Sequence, residues 1–268
     1  MNEFGEFGDI RVEIDDAFVA VAEICRPPNN FFDMGLIADL ASAFEALDDE
    51  KTCRAIVLSS EGKNFCAGAQ LAGRAEGSTG ATEEKGRGGE GRHLYDEAVR
   101  LFGTRTPVVA AIQGAAIGGG LGLALMPDFR IATPEARFSA NFSRLGFHHS
   151  FGLSVTLADL VGAQRAMDLL YTGRRIRGEE ALEIGLVDRL VSGSELRGQA
   201  LEWAREIAAS APLAVMSIRE TLRGELPARI RAATDRERAE QERLQKTKDF
   251  REGIRAMAER RLPDFSGS

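Results

Sequence analysis

The 268-residue sequence predicts an α/β fold, a series of stacked ββα turns closed by a helical C-terminal region. Three observations carry that expectation. Two short apolar runs followed by a helical one recur three times in the first half of the chain. Past Phe151 the apolar spacing becomes helical almost throughout. Between these halves the stretch AAIQGAAIGGGLGLALMPD (Ala110 to Asp128) joins a strand-like run to a helix-like one through Gly118, Gly119, Gly120 and Gly122. Glycine costs stability inside regular elements, so four in five positions need a physical reason.

Ile10 to Ile24 holds two alternating apolar runs around Asp15-Asp16 and reads as a hairpin. RPPNN (Arg26 to Asn30) breaks the chain, after which Asp33 can cap a helix reaching about Leu47, with Leu36, Ile37, Leu40, Phe44 and Leu47 at helical spacing. CRAIVLSS is a short buried strand, and a turn at Glu61-Gly62-Lys63 leads into NFCAGAQL. Gly73 to Gly91 lacks apolar periodicity and reads as a mobile loop. A helix over about Leu94–Phe102, the strand PVVAAIQG, the glycine run with its helix, and two short strands in FRIATPEARFSA follow. The helical half reads as Leu153–Leu160, Ala163–Tyr171, Gly178–Ile184, Gly193–Ala209, Leu213–Leu222, Ala228 onward, and a final docked helix in FREGIRAMAERRLPDF.

A net charge of −7 argues against nucleic acid as the main partner, although a phosphorylated ligand needs only local positive groups. No apolar run is long enough to span a bilayer, and the acidic start MNEFGEFGDIRVEID is unlike a signal peptide, which points to a cytoplasmic protein. Cys25, Cys53 and Cys66 lack metal-ligand spacing and read as free thiols in a reducing compartment, so no metal is expected.

The glycine run fails the dinucleotide pattern, since Leu125 stands where the third glycine belongs, and no phosphate-loop lysine follows. What remains is a helix N-terminus offering free N–H groups to developing negative charge. Close helix–strand packing accounts for Gly118 or Gly122 on this reading, but not for all four.

NFCAGAQL followed by AAIQGAAIGGGLGLALMPDFRIAT strongly resembles the enoyl-CoA hydratase/isomerase (crotonase) family, and the likeness runs on through LVGAQRAMDLLYTGRRIRGEEALEIGLVDRLV to EGIRAMAERRLPDF. The resemblance implies a crotonase-like ββα-superhelix core over 1–200 and a helical trimerisation region over 201–268. It implies an acyl-CoA thioester substrate, a homotrimer or dimer of trimers, and no tightly bound cofactor, coenzyme A being part of the substrate. The oxyanion donors implied are the N–H groups of Ala69 and Gly119. Coenzyme A is implied along Arg26-Pro27, around Cys66, Ala67, Gly68, Gln70 and Leu71, and at Arg260.

One part of the family pattern is missing. Hydratases of this family use two glutamates, and in register these positions are Gly122 and Phe142. Asp128, Phe138 and Leu145-Gly146 anchor that register. Neither residue can transfer a proton, and dehalogenase-like members carry an aspartate where this chain has Ser150. The turn GFHHSFG offers His148 and His149 where decarboxylating members place a catalytic group; His149 is the favoured one. His93 reads as an exposed loop histidine, and Glu83, Glu84, Glu90 and Asp96 as solvating charges. The alternatives are a non-catalytic acyl-CoA-binding trimer and a family decarboxylase or hydrolase. A serine peptidase lacks G-x-S-x-G, and a nicotinamide oxidoreductase lacks its glycine fingerprint.

Overall fold

Asp15 sets the first hairpin. Its Oδ1 accepts the N–H groups of Ala17 and Val19, at 2.9 and 3.0 Å, and turns β2 (Ile10–Ile14) back on β3 (Val19–Ile24). The computed structural model describes residues 1–69 and 93–268. β3, β4 (Ala55–Ser60) and β5 (Val108–Ile112) are buried along their whole lengths and pair in parallel, which is why they read as unbroken apolar runs. With β1 (Asn2–Glu3), β7 (Phe129–Ala132) and β10 (Arg189–Leu190) they form a sheet of order β1-β2-β3-β4-β5-β7-β10.

A second, smaller sheet pairs β6 (Ala115–Ile117) in parallel with β8 (Arg137–Ser139) and β8 antiparallel with β9 (Ile176–Arg177). Isolated parallel bridges, Phe32 to Ala69 and Cys66 to Ala116, extend it back to the earlier turns. Successive turns thus give one strand to each sheet and close with a helix: α1 (Met34–Asp49), α2 (Leu94–Phe102), α3 (Gly119–Leu125) and α4 (Leu153–Val161). Asp33 caps α1 as expected, accepting the Leu36 N–H at 2.8 Å. The strands β1, β6, β9 and β10 escape the sequence reading because two or three residues cannot display a period of two. The expected loop over 73–91 lies outside the described residues.

α5 (Ala163–Thr172) and α6 (Gly178–Glu183) follow α4, and α7 (Leu196–Ala208) comes next. α7 lays Leu196, Ala200, Ala204 and Ala208 on the outer sheet face against Val19, Val21, Val57, Val109 and Ile131. The expected division after residue 200 falls inside this helix, whose packing belongs to the sheet. α8 (Pro212–Arg223), α9 (Leu226–Leu244) and α10 (Lys248–Glu259) complete the chain. No residue of α8 is buried, and Leu213 and Leu222 are 81% and 78% exposed. Among the described residues no helix is long and apolar enough to cross a membrane.

Candidate active site

Two buried asparagines hold the NFCAGA segment in place. Asn30 donates to the carbonyls of Glu61 and Asn64, at 2.8 and 2.6 Å. Asn64 Oδ1 accepts the Ala115 N–H at 3.0 Å and the Arg137 guanidinium at 3.2 Å. From there Cys66 and Ala116 pair as parallel strands, with the Ile117 N–H on the Cys66 carbonyl at 3.1 Å. Gly68, at φ +91°, passes so close to the Ile117 carbonyl that a Cβ would sit 2.8 Å from it. Ala69 and Gly119 each lie three residues beyond the bridged pair.

Both then meet Phe32. Its backbone bridges Ala69, and its ring lies against Gly119, where a Cβ would come within 2.3 Å of Cζ. Among the described residues no acceptor meets the N–H of Ala69 or of Gly119, the first residue of α3. Two polarised donors without acceptors therefore flank one aromatic ring, an arrangement suited to a ligand oxygen carrying negative charge.

The glycine run has a fuller packing explanation than the sequence reading allowed. Gly118 has φ +58° and ψ −124°, a conformation reserved for glycine. A Cβ on Gly120 would lie 2.2 Å from the Cys66 carbonyl oxygen, and one on Gly122 would lie 2.5 Å from Phe151 Cβ. Each of the four is kept bare by a protein atom or by its own backbone. Gly122, expected in register at the first hydratase-glutamate position, is closed off by Phe151. Phe142, the second, is buried and stacks edge-on with Phe147 at 5.5 Å.

Phe151 also ties in the histidine turn, packing on Phe32 and Phe102 at 6.0 and 6.3 Å between ring centroids. His148 and His149 stack at 4.0 Å, and His148 Nδ1 bonds the His149 carbonyl at 2.9 Å. His149 Nε2 lies 2.7 Å from Ser154 Oγ. Burial, with His148 beside it, pushes the His149 imidazole down to about 4, so it is neutral at pH 7.

The remaining expected residues are placed less favourably for a ligand. The Cys66 thiol is fully buried and pushed up to about 12 by that burial, and its backbone is used by β6. Ala67 is half-buried, its N–H bonded to the Asn29 carbonyl at 2.9 Å. The Arg26 guanidinium, expected along coenzyme A, is held by Asp9 at 2.7 Å and Asp33 at 2.9 Å, while Pro27 is exposed. Arg260 is exposed at the end of α10 in a left-handed conformation, φ +55°. Its neighbour Arg261 is paired with Glu252 and Glu259, whereas Arg260 has no carboxylate partner among the described residues. Gln70 and Leu71 lie outside the described residues.

His93 is not the exposed residue expected. It is buried and caps α2, its Nδ1 accepting the Tyr95 N–H at 3.1 Å while its own N–H bonds Asp96. Burial, with Arg238 nearby, lowers it to about 4. The sequence reading also missed the α9 face that meets this region. Ile230, Thr234, Glu237 and Gln241 are buried at spacings of four, three and four. Gln241 accepts the Tyr95 hydroxyl at 2.7 Å and donates to the His148 carbonyl at 2.8 Å. Among the described residues no cluster of three His, Cys, Asp or Glu side chains could hold a metal ion.

The enoyl-CoA hydratase/isomerase family model matches residues 15–268. The chain belongs to that family. Its crotonase fold is shared with an enoyl-CoA hydratase/isomerase from Pseudoalteromonas atlantica, with a TM-score of 0.84 and 28% identity over 96% of this chain and all of that one. An enoyl-CoA isomerase/hydratase of Zymoseptoria tritici is 35% identical, covering 93% of this chain and 84% of its own. A carnitinyl-CoA dehydratase of Proteus mirabilis is 33% identical over 90% and 92%. A 1,2-epoxyphenylacetyl-CoA isomerase of Escherichia coli is 31% identical over 89% and 90%. The crotonase family thus places this chain among enzymes acting on acyl-CoA thioesters.

Proposed function

We propose that this crotonase-family chain turns over an acyl-CoA through a thioester enolate held by the N–H groups of Ala69 and Gly119, with His149 rather than a carboxylate moving the proton. The observation that carries the reading is the closure of both expected hydratase-glutamate positions: Phe151 packs against Gly122, and the second is occupied by the buried Phe142 against Phe147. Two unsatisfied N–H dipoles can supply the electrostatic part of catalysis, commonly the largest single contribution. Proton transfer then needs another group, and His149, neutral at pH 7 and so able to accept a proton, is the candidate, with burial making it a weaker base than a free imidazole. Coenzyme A enters as part of the substrate, with Arg260 as the candidate phosphate contact.

This mechanism excludes efficient two-carboxylate hydration. Crotonyl-CoA should keep its enoyl absorbance in the presence of the purified protein, while a panel of acyl-CoA thioesters should show turnover of another kind, isomerisation or decarboxylation first. Loss of enoyl absorbance at a true hydratase's rate would overturn the proposal. The sealed positions also favour a second reading, an acyl-CoA-binding protein without turnover; ligand-induced thermal shift with no product from any thioester would establish it. The bare apolar side chains of α8 support assembly into a trimer or a dimer of trimers. Sedimentation as a monomer at micromolar concentration would reject that assembly.

A further inference from the structure

Glu237 sits on the buried face of α9 with its side chain 1% exposed. Its Oε2 accepts the Gly152 N–H at 2.9 Å; its Oε1 accepts the N–H and the hydroxyl of Ser154, at 3.2 and 2.7 Å. Three donors converge on this carboxyl and favour its anion, against the burial that raises its proton affinity. The same Ser154 hydroxyl lies 2.7 Å from His149 Nε2, which is itself 3.8 Å from Glu237 Oε1.

The hydrogens in this row can be counted. With Glu237 ionised, Ser154 Oγ gives its one hydrogen to the carboxylate, and toward His149 it can only accept. His149 must therefore carry its own hydrogen on Nε2. Its Nδ1 is left as a lone pair with no partner among the described residues. We infer that Ser154 and Glu237 are positioning residues that hold His149 as the Nε2–H tautomer, with Nδ1 as its basic nitrogen. This rests on the proposal that His149 exchanges a proton with the acyl group. In that step the Nδ1 lone pair takes the α-proton, and the C–H electron pair moves onto the thioester oxygen as the enolate. The Nε2 hydrogen stays on His149, donated to Ser154 Oγ, and the resulting imidazolium is offset by the Glu237 charge.

The order of groups separates this row from a hydrolase triad, where histidine stands between nucleophile and carboxylate. Here serine is in the middle with its proton already held, so it is no nucleophile. Glu237 also serves as a tertiary cap for α4, whose first residues otherwise have only Gly152 before them. Capping explains the two backbone bonds. It does not require a hydroxyl set between carboxylate and imidazole.

The test uses the full chain and the variants Ser154→Ala, Ser154→Thr, Glu237→Gln and His149→Gln. Imidazole 15N shifts report the His149 tautomer without any need for substrate. The parent should show Nε2–H, and Ser154→Ala should shift it toward a mixture. With whichever acyl-CoA is turned over, Ser154→Ala should lower kcat by about ten- to a hundredfold and leave KM within about twofold. Its thermal midpoint should barely change, because the backbone bonds to Glu237 persist. Ser154→Thr should restore both tautomer and rate. Parental tautomer and kcat in Ser154→Ala and Glu237→Gln, with His149→Gln inactive, would refute the relay and spare the proton-transfer reading. Parental turnover in His149→Gln would refute that reading instead, and the tautomer measurement would still decide the relay.

Discussion

Gly122→Ala tests whether packing closes the expected hydratase-glutamate position. Gly122 lies inside α3, where alanine should be preferred by up to about 1 kcal/mol. The added Cβ would sit 2.5 Å from Phe151 Cβ and 2.9 Å from its Cγ and Cδ1. Carbon atoms rest about 3.5–4.0 Å apart, so the pair must separate by roughly 1 Å. Phe151 cannot yield cheaply: the nearest atom is its own Cβ, its side chain is fully buried, and its backbone is left-handed at φ +63°. Overpacking of this sort costs about 1–3 kcal/mol, and the strained backbone puts the site at the upper end. The net expectation is a loss of about 1–2 kcal/mol, or roughly 2–8 °C in Tm for a chain of this size. Gly198→Ala is the control, since nothing lies within 4 Å of its added Cβ; it should gain about 0.4–1 kcal/mol. Urea and thermal unfolding at pH 7 read both. Gly122→Ala at or above parental stability would show that Phe151 does not close the position.

Gly119→Pro removes one proposed oxyanion N–H at a helix position where proline is otherwise tolerated, but its ring meets Phe32; in a Phe32→Ala background it should abolish turnover, while Phe32→Ala alone stays active. Full activity in the double variant would dismiss Gly119 as a donor. His149, neutral and held near 4 in the folded chain against about 6.5 unfolded, binds its proton more readily when unfolded, so stability should fall as the pH drops from about 6.5 to 5. Glu237, raised by burial, works in the opposite sense, so the measurement is the flattening of the urea-midpoint profile in His149→Gln; an unchanged profile would place His149 in solvent. Arg260→Gly keeps the left-handed turn and removes the charge, and should weaken binding of free coenzyme A at low salt without loss of Tm; unchanged affinity would take Arg260 out of the site.

What the sequence showed of this fold were features with local causes. Asp33 announces α1 because a cap and its helix are neighbours in the chain, and the all-apolar runs of β3, β4 and β5 announce parallel pairing. The paired glycine motifs identify the family from sequence alone. Relations between distant segments were hidden. The ion pairs of Arg26 with Asp9 and Asp33 could not be read from the chain, and His93 looked like a loop residue until α9 covered it. The four glycines signalled close approach correctly, but only the fold reveals that the approaching groups are Phe32, the Cys66 carbonyl and Phe151.

The buried face of α9 was hidden for a different reason. Its polar residues look like an exposed surface, because Thr234, Glu237 and Gln241 are types usually found in water. Burying them is tolerable only if every polar group finds a partner. Thr234 bonds the Ile230 carbonyl, Glu237 takes three donors from Gly152 and Ser154, and Gln241 uses both ends of its amide. An apolar face would have packed as well, and with fewer conditions on geometry. What the polar face adds is direction: Gln241 fixes the backbone of His148 while Ser154 and Glu237 fix the ring of His149. A turn that would otherwise be free to reorient is thereby held at both its main chain and its side chain. That is the rigidity the proposed proton-transferring imidazole would need in a chain whose two expected carboxylate positions are Gly122 and Phe142.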